Sequence, residues 1–423
     1  MDIVLNSVEI IDKQSPFHGK QRNVHIKNGI ITAISSRKIE AGKSVDGKGL
    51  KLSVGWFDMG AHFADPGFEH KENLESGRNM AKKSGFTGVA VLPNTNPTVQ
   101  TKNEVSYITG SNRNELTQLY ALGAVSNRTE GKELTEMIDL HHAGAVGFTD
   151  GFNPIWHTDI LLKTLQYLQK FDGLLINRPE DKMLTIFGSM HEGKQSILLG
   201  LKGMPGLAEE VMVQRDLQLL AYAGGKIHFS NISTAGSVDL IRKAKKSGLA
   251  VTCDVAVHQI AFDDKALVNY DTNFKVNPPF RQSNDNRALI KGLKDGTIDL
   301  IVSAHNPQDE ESKNLEFDLA DFGIIGLQTF IAVIIGHYRG IPPEDLIPSF
   351  TIKPREILGL PVPQIKVGEI ADLTLFDPEK KWDYSEESNL SKSKNSPFLG
   401  QTLTGKSVGV FNNGKAYLED GLL

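Results

Sequence analysis

Residues 87–94, TGVAVLPN, show the pattern that decides the fold: an apolar run about one strand long that ends in proline and a polar residue. Amphipathic segments such as SVDLIRKAKKSG (237–248) separate further runs of this kind. Strands that alternate with helices indicate βα units, so we expect a parallel (β/α)8 TIM-like barrel over residues 54–360; the alternative is a doubly wound open sheet. The other runs are LYALGAVS (119–126), AVGFTDG (145–151), GLLINRPED (173–181), KIHFSNIST (226–234), LAVTCDVAVH (249–258) and IDLIVSAHNP (298–307).

The two ends of the chain have a different pattern from the middle. Residues 1–53 alternate short apolar runs with turn signals, and Asn28-Gly29 between two such runs favours a hairpin because both residues tolerate positive φ. Residues 361–423 show the same alternation of short apolar runs and turn signals, with a second Asn-Gly at 413–414. We therefore expect both ends to meet in one small β domain.

Composition and charge exclude several classes of protein. The 423 residues are 39% hydrophobic and carry a net charge of −5, and their longest basic run is KAKK at 243–246. This argues against nucleic acid or an anionic membrane surface as the main partner. The longest apolar stretch, residues 324–335, falls short of a membrane span, and the start of the chain does not resemble a signal peptide. With Cys253 as its single cysteine, the chain is expected to be cytoplasmic.

The residues that close the barrel strands carry the candidate chemistry, because the active sites of such barrels lie at the carboxyl ends of the strands. Hydrolysis of an amide at neutral pH needs an activated water, which metals held by imidazoles and carboxylates can supply. Any one histidine taken alone is more simply a hydrogen-bonded structural residue. The candidates are His62, Asp150, Asn177 or Arg178, His228 or Asn231, His258 and His305.

Residues 58–97, DMGAHFADPGFEHKENLESGRNMAKKSGFTGVAVLPNTNP, resemble the signature of the bacterial class I dihydroorotases of the amidohydrolase superfamily. Further similar segments follow in order along nearly the whole chain, among them AGAVGFTDG, FKVNPPFRQSNDNRALIKGLKDGTIDLIVSAHNP and GEIADLTLFDP. The resemblance implies a (β/α)8 barrel with a β-sandwich from both chain ends. It also implies a family activity, the zinc-dependent hydrolysis of dihydroorotate to carbamoyl aspartate in pyrimidine biosynthesis.

The resemblance also allows each metal-ligand position to be checked in this sequence. Two remain, His62 from the His-x-His pair and Asp150 from the strand AVGFTDG. Two ligands do not hold a catalytic zinc, which normally takes three protein groups, so no cofactor is expected. The positions where a ligand, the substrate arginine or the catalytic aspartate of the family is replaced are Gly60, Ala64, Arg178, Asn231 and Ala304.

Arg178 is the most disruptive of these replacements, because a guanidinium stays protonated and repels a cation. We expect its charge to meet Asp150 across the barrel mouth, which would leave neither group buried and unpaired. The alternative is that Arg178 reaches solvent. Ala304 removes the carboxylate that accepts a proton from the attacking water in the family.

Part of the family's substrate pocket persists at Asn94, Asn277 and His305. For the two asparagines, a turn role beside proline is an equally good explanation. A weak site for an anion or a ureide is therefore compatible with the sequence.

Three functions follow from this pattern. The first is a catalytically inactive dihydroorotase homologue that acts as a structural partner of aspartate transcarbamoylase, and the resemblance also favours a homo-oligomer. The second is an active dihydroorotase or cyclic amidohydrolase with an altered metal site. The third is a sensor that binds a ligand in the residual pocket. Histidines available to a relocated site are His141, His142, His157 and His258.

Overall fold

The computed structural model describes residues 1–419. Its strands are β1 (Asp2–Ile11), β2 (Gln21–Lys27), β3 (Ile30–Ser35), β4 (Lys43–Asp46), β5 (Lys51–Val54), β6 (Trp56–Ala61), β7 (Phe86–Val91), β8 (Gln118–Gly123), β9 (Gly147–Phe148), β10 (Leu175–Asn177), β11 (Met190–His191), β12 (Gly203–Met204), β13 (Ile227–Phe229), β14 (Val251–Ala256), β15 (Leu300–Val302), β16 (Leu373–Tyr384), β17 (Gln401–Asn412) and β18 (Lys415–Leu418).

The α-helices lie mainly between the strands from β6 to β15. They are α1 (Leu74–Lys83), α2 (Lys102–Gly110), α3 (Met137–His142), α4 (Thr158–Leu168), α5 (Lys182–Thr185), α6 (Lys194–Leu199), α7 (Leu207–Ala223), α8 (Ala235–Lys246), α9 (Ser283–Asp295), α10 (Glu310–Lys313), α11 (Phe330–His337), α12 (Pro343–Leu346) and α13 (Lys353–Ile357).

Eight parallel strands form the central barrel, in the order β15-β14-β13-β10-β9-β8-β7-β6. Each strand lies beside its neighbour along the chain, and helices connect them, as the repeated βα pattern predicts. The fold is therefore the expected barrel and not the doubly wound open sheet. Because all eight strands run the same way, their carboxyl ends meet at one mouth.

The seam between β6 and β15 is closed by side chains as well as backbone. The Asp58 carboxylate accepts hydrogen bonds from the N–H of Ser303 at 2.7 Å and from its Oγ–H at 2.6 Å. One further bond runs from the His62 N–H to the His305 carbonyl at 2.9 Å. Asp58 is fully buried, so its two bonds to Ser303 offset the cost of removing its carboxylate from water.

Helix α1 shows how the sequence builds the outer layer. The Asn73 side chain caps the helix by accepting from the Ser76 N–H. The Ser76 Oγ in turn accepts from the Asn73 N–H. Its buried residues include Gly77 and Met80, and Gly77 packs directly against the ring of Phe63. The close approach at Gly77 leaves no room for a side chain and holds the helix near the end of β6.

The two chain ends form a second, eight-stranded sheet of order β18-β17-β16-β5-β1-β2-β3, in which β4 also pairs with β1. The strands share a core of their own, to which β1, β2, β5, β16 and β17 all contribute buried side chains. Both predicted hairpin turns are present, since Asn28-Gly29 joins β2 to β3 and Asn413-Gly414 joins β17 to β18, all with positive φ. The expected small β domain from both ends is confirmed.

Arg355 ties this terminal sheet to the barrel. Its buried guanidinium donates to the carbonyl of Gly55 at 2.7 Å, to Thr87 Oγ1 at 3.1 Å and to the carboxylate of Asp372 at 3.0 Å. The first two acceptors belong to the barrel and the third precedes β16. One planar cation with several fixed donors therefore joins both parts.

No helix within residues 1–419 is long and apolar enough to cross a membrane.

Asp58 gives the seam a pH dependence that can be measured. Burial raises the pKa of its carboxyl from 3.8 to about 6, so its contribution to stability is full below about pH 4 and is lost as the pH rises through 6. We expect Asp58→Asn to gain about 2 kcal/mol in unfolding free energy relative to the wild type between pH 4 and pH 7. Urea unfolding at both pH values measures it. The exposed Asp318→Asn is the control, and parallel profiles for wild type and Asp58→Asn would contradict the assignment.

Candidate functional site

A cavity of about 350 Å³ opens at the carboxyl ends of the barrel strands. This volume suits a small ligand. The structure brings most of the candidate residues to its walls. Those that line it are Gly60, His62, Asn94, Arg178, Asn231, His258, Asn277 and Ala304, together with Lys71 and Phe152.

Gly60 leaves open space in this wall. A Cβ atom built there would meet nothing within 4 Å, although the φ of +154° disfavours a residue with a side chain. The position that carries the first histidine of the family motif is therefore part of the cavity itself.

His62 faces the cavity as a neutral imidazole. Burial lowers its pKa to about 4, so the ring is uncharged at neutral pH. Its Nε2 lies 3.0 Å from the Asn94 carbonyl, and a neutral ring must donate there. That bond fixes the tautomer and leaves Nδ1 buried without a hydrogen-bond partner.

Asp150 is held by the neighbouring strand end. Its carboxylate accepts from the Ser126 N–H at 2.9 Å and from the Ser126 Oγ–H at 2.5 Å. Burial raises the pKa of Asp150 to about 6, and the two bonds from Ser126 and, more weakly, the charge of Lys182 act against that rise. The hydrogen bonds between Asp150 and Ser126 therefore join the segments that follow β9 and β8.

Arg178 pairs with Glu180 and not with Asp150, so the expected partner was wrong. The Nη2 group of Arg178 lies 2.7 Å from Glu180 Oε2, and both side chains are largely buried. Glu180 lies two residues further along the same strand end, which makes the pair local. Arg178 does not reach into solvent either, since it is 9% exposed.

Glu180 joins three segments of the mouth. Besides Arg178, its carboxylate accepts from Thr185 Oγ1 at 2.7 Å and from Asn277 Nδ2 at 3.0 Å. Burial acts to raise the pKa of Glu180, but the Arg178 charge and these donors outweigh it and hold the pKa below its ordinary value. The pair Arg178–Glu180 with Asn277 is called the arginine clamp below.

Asn231 and Ala304 lie in the left-handed region of backbone conformation, at φ of 55° and 46°. Ala64 does so as well, at 56°. Such positions cost an alanine about 1 kcal/mol or more. The backbone at these strand ends thus has an unusual shape, while the side chains of Ala64 and Ala304 offer no metal ligand and no base.

His228 and Asn177 have structural roles. His228 is fully buried between Asp254, at 2.9 Å from Nε2, and Thr252, at 2.7 Å from Nδ1. The Asn177 side chain donates to Asp216 at 2.7 Å. Neither residue lines the cavity.

Of the three pocket remnants, Asn94 and Asn277 line the cavity and His305 does not. Both the nitrogen and the oxygen of the Asn94 amide bond to backbone groups of the protein. Nδ2 donates to the Asp150 carbonyl at 3.0 Å, and Oδ1 accepts from the Phe152 N–H at 3.1 Å. His305 is buried, and its Nδ1 accepts from the Gly326 N–H at 3.2 Å. Asn94 therefore has a structural role, but it joins the segment that follows β9 and does not form the local turn beside proline that the sequence left open.

The spare histidines do not gather at the mouth. His141 and His142 belong to α3, where His141 stacks on Phe171. His258 alone of the four lines the cavity, with its Nδ1 buried and unpartnered. Burial lowers the pKa of His258 to about 4.

The residues present do not fit the zinc site that the family resemblance implies. Within residues 1–419, no three His, Cys, Asp or Glu side chains are grouped so that they could hold a metal ion. The Nε2 of His62 already donates to the Asn94 carbonyl, and both oxygens of Asp150 accept from Ser126. The Arg178 guanidinium supplies a fixed positive charge on the same cavity wall.

The sequence analysis did not predict the roles of two structural residues of this region, Asp58 and Glu180. Asp58 closes the barrel through Ser303, which lies 245 residues further along the chain, and no local pattern marks such a contact. Glu180 had a local signal, since Arg178 and Glu180 flank one proline, and a buried arginine requires a nearby anion.

Comparisons with known proteins agree with this architecture. Residues 50–237 match the family model described as Dihydro-orotase-like, and residues 192–417 match the Amidohydrolase family. The chain is 37% identical to a dihydroorotase of Pelotomaculum thermopropionicum over all of both chains. It is 40% identical to a dihydroorotase of Ruminiclostridium cellulolyticum over 90% of each.

Solved structures show the same fold at lower sequence identity. An L-hydantoinase (dihydropyrimidinase) from Arthrobacter aurescens superposes with a TM-score of 0.85 at 21% identity, covering 100% of this chain and 97% of that one. A D-hydantoinase (dihydropyrimidinase) from Thermus sp. gives 0.82 at 19% identity, with 99% and 96% covered. Family models, fold and full-length identity agree, and the chain belongs to the dihydroorotase family of the amidohydrolases.

Proposed function

We propose that this dihydroorotase-family chain does not hydrolyse dihydroorotate and acts as a structural partner of aspartate transcarbamoylase. The observation that carries the first part is the arginine clamp, which places a buried cation on the wall of the family's metal cavity. The second part rests on the family resemblance, because some bacteria keep inactive homologues in that role.

The chemistry of the cavity supports the absence of hydrolysis. Attack of water on an amide needs a group that takes the proton and a charge that stabilises the developing oxyanion. Ala304 offers no proton acceptor, and the neutral His62 has its tautomer fixed by Asn94. Arg178 could stabilise an oxyanion, but its Nη2 is already committed to Glu180.

A scaffold role is compatible with the intact frame. Several links that hold the frame together are bonds between protein groups and need no metal. They are the bonds of Asp58 to Ser303, of Asp150 to Ser126 and of Arg355 to Asp372. A fold held by such bonds stays intact and presents its surface to a partner protein, even when the cavity does not catalyse hydrolysis.

The alternative is an active cyclic amidohydrolase with an altered site. One observation favours it: His62 and His258 line the same cavity, and both keep a buried, unpartnered Nδ1. Such a site would still lack the third ligand that catalytic zinc normally takes.

Dihydroorotate hydrolysis separates the two functions. We expect no turnover with or without added zinc, in either direction of the reaction. Arg178→His should gain none, because one added imidazole does not complete a ligand set. Zinc-dependent turnover that His258→Ala abolishes and His141→Ala leaves intact would establish the altered-site enzyme instead.

The arginine clamp should be measurable as stability. Arg178→Met leaves the buried Glu180 carboxylate without its cation, so we expect unfolding free energy to fall by about 3 kcal/mol at neutral pH. The deficit should shrink as the pH falls through the depressed pKa of Glu180, because the protonated carboxyl needs no cation.

Urea unfolding of Arg178→Met, Glu180→Gln and the double variant checks the clamp. The double variant should recover much of the loss, since it removes both charges together. Strictly additive losses would show that the two side chains do not stabilise each other.

The partner role is tested by mixing the purified chain with aspartate transcarbamoylase from the same organism. Sedimentation velocity should show one faster boundary that contains both proteins, and the same complex should co-purify from the native cell. Separate boundaries at micromolar concentrations, together with no co-purification, would contradict the role.

A further inference from the structure

The outward side of helices α8 and α9 is strongly basic. The chain as a whole carries a net charge of −5, so this positive charge is local. Arg339 belongs to the same surface, because the Nζ of Lys294 on α9 lies 3.3 Å from the place where a Cβ on Gly340 would stand. We call six exposed cations the basic face: Lys243, Lys246, Arg287, Lys291, Lys294 and Arg339.

Ion pairs join the two helices and occupy the carboxylates beside the basic face. Arg242 Nε on α8 donates to Asp295 Oδ2 on α9 at 3.0 Å, and Lys245 Nζ donates to Asp299 Oδ2 at 2.6 Å. Asp239, the one acidic residue of α8, also pairs with Arg242. Among the described residues, no carboxylate forms an ion pair with any of the six cations. The basic face is therefore firmly held and lacks counter-charges.

Three of the cations form a row along α9. Arg287, Lys291 and Lys294 are spaced by four and three residues, so they lie on one side of the helix over about 10 Å of its length. Like charges at this spacing destabilise a helix. The helix dipole favours Lys294, which lies in the last turn, but it does not favour Arg287 in the first half of the helix. Anions from outside the chain would relieve the repulsion along the row.

The composition of the two helices favours an acidic protein over other polyanions. Single-stranded nucleic acid binds by stacking its bases on aromatic rings as well as by its phosphates, and residues 235–246 and 283–295 contain no aromatic side chain. An interfacial membrane contact needs apolar side chains that enter the bilayer. In α8 and α9, both of which are described in full, no large apolar side chain is exposed.

We propose that the basic face docks an acidic helix of another protein, which carries carboxylates one turn apart along one side. Such carboxylates have the same spacing as Arg287, Lys291 and Lys294, so each of them meets one cation. Charge-assisted hydrogen bonds from the guanidinium and the two ammonium groups then hold the docked helix. The other three cations extend the positive field and speed the encounter. This inference is independent of the transcarbamoylase role and of the state of the cavity.

A designed peptide tests the docking. The probe is a fluorescein-labelled, alanine-based helix with glutamates at i, i+4 and i+7, and the control peptide has the same composition with its glutamates spread around the helix. Fluorescence anisotropy with the full chain should show tighter binding of the probe, which weakens as salt is added.

Charge reversal locates the binding surface. The double variant Arg287→Glu with Lys291→Glu should raise the Kd of the probe by roughly tenfold or more, because two attractions become repulsions. The matched control is Lys43→Glu with Lys48→Glu, two exposed cations of the terminal sheet, and it should leave the Kd unchanged. A probe with lysines in place of glutamates should bind the reversed chain and not the wild type, which shows that the variant is folded.

Stability separates docking from a purely structural role of the row. Arg287→Glu should raise the urea midpoint of the chain, because it replaces a repulsion between Arg287 and Lys291 by an attraction. A lowered midpoint would show that the row serves helix stability and would overturn the proposal. Equal binding of the two peptides, or tighter binding of a single-stranded DNA oligonucleotide or of phosphatidylserine vesicles than of the probe, would overturn it as well.

Discussion

The ion pair between Arg178 and Glu180 is the interaction on which the barrel mouth depends. A buried guanidinium requires an anion, and Glu180 supplies it from the same strand end at 2.7 Å. Because Glu180 also accepts from Thr185 and Asn277, the one carboxylate orders three segments around the cavity. A fixed protein cation and its counterion therefore supply at this mouth the cross-link that a bound metal could otherwise provide.

Much of the fold could be predicted from the sequence because its signals are local. Apolar runs of strand length, the helices between them and the two Asn-Gly turns specify the barrel and the terminal sheet. Parallel strands also bring their carboxyl ends together, which is why most of the candidate residues meet at one cavity.

The partners of individual side chains could not be predicted in the same way. Arg178 was expected to cross the mouth to Asp150, but Glu180 lies nearer along the chain, and Ser126 already satisfies Asp150. His305 was assigned to the pocket, yet its imidazole accepts from Gly326 and lies outside the cavity wall. Such outcomes depend on competing hydrogen bonds that sequence spacing does not contain.

The site combines the barrel frame of the family with few groups that could bind a metal. Ala64, Asn231 and Ala304 have left-handed backbone conformations that cost free energy, and the two alanine side chains carry no group that binds a metal or transfers a proton. We propose that this cavity has no zinc site. Metal analysis of the full chain, purified without chelator and dialysed against zinc, tests that claim most directly. We expect clearly substoichiometric zinc, and one or more tightly held zinc ions per chain would contradict the proposal.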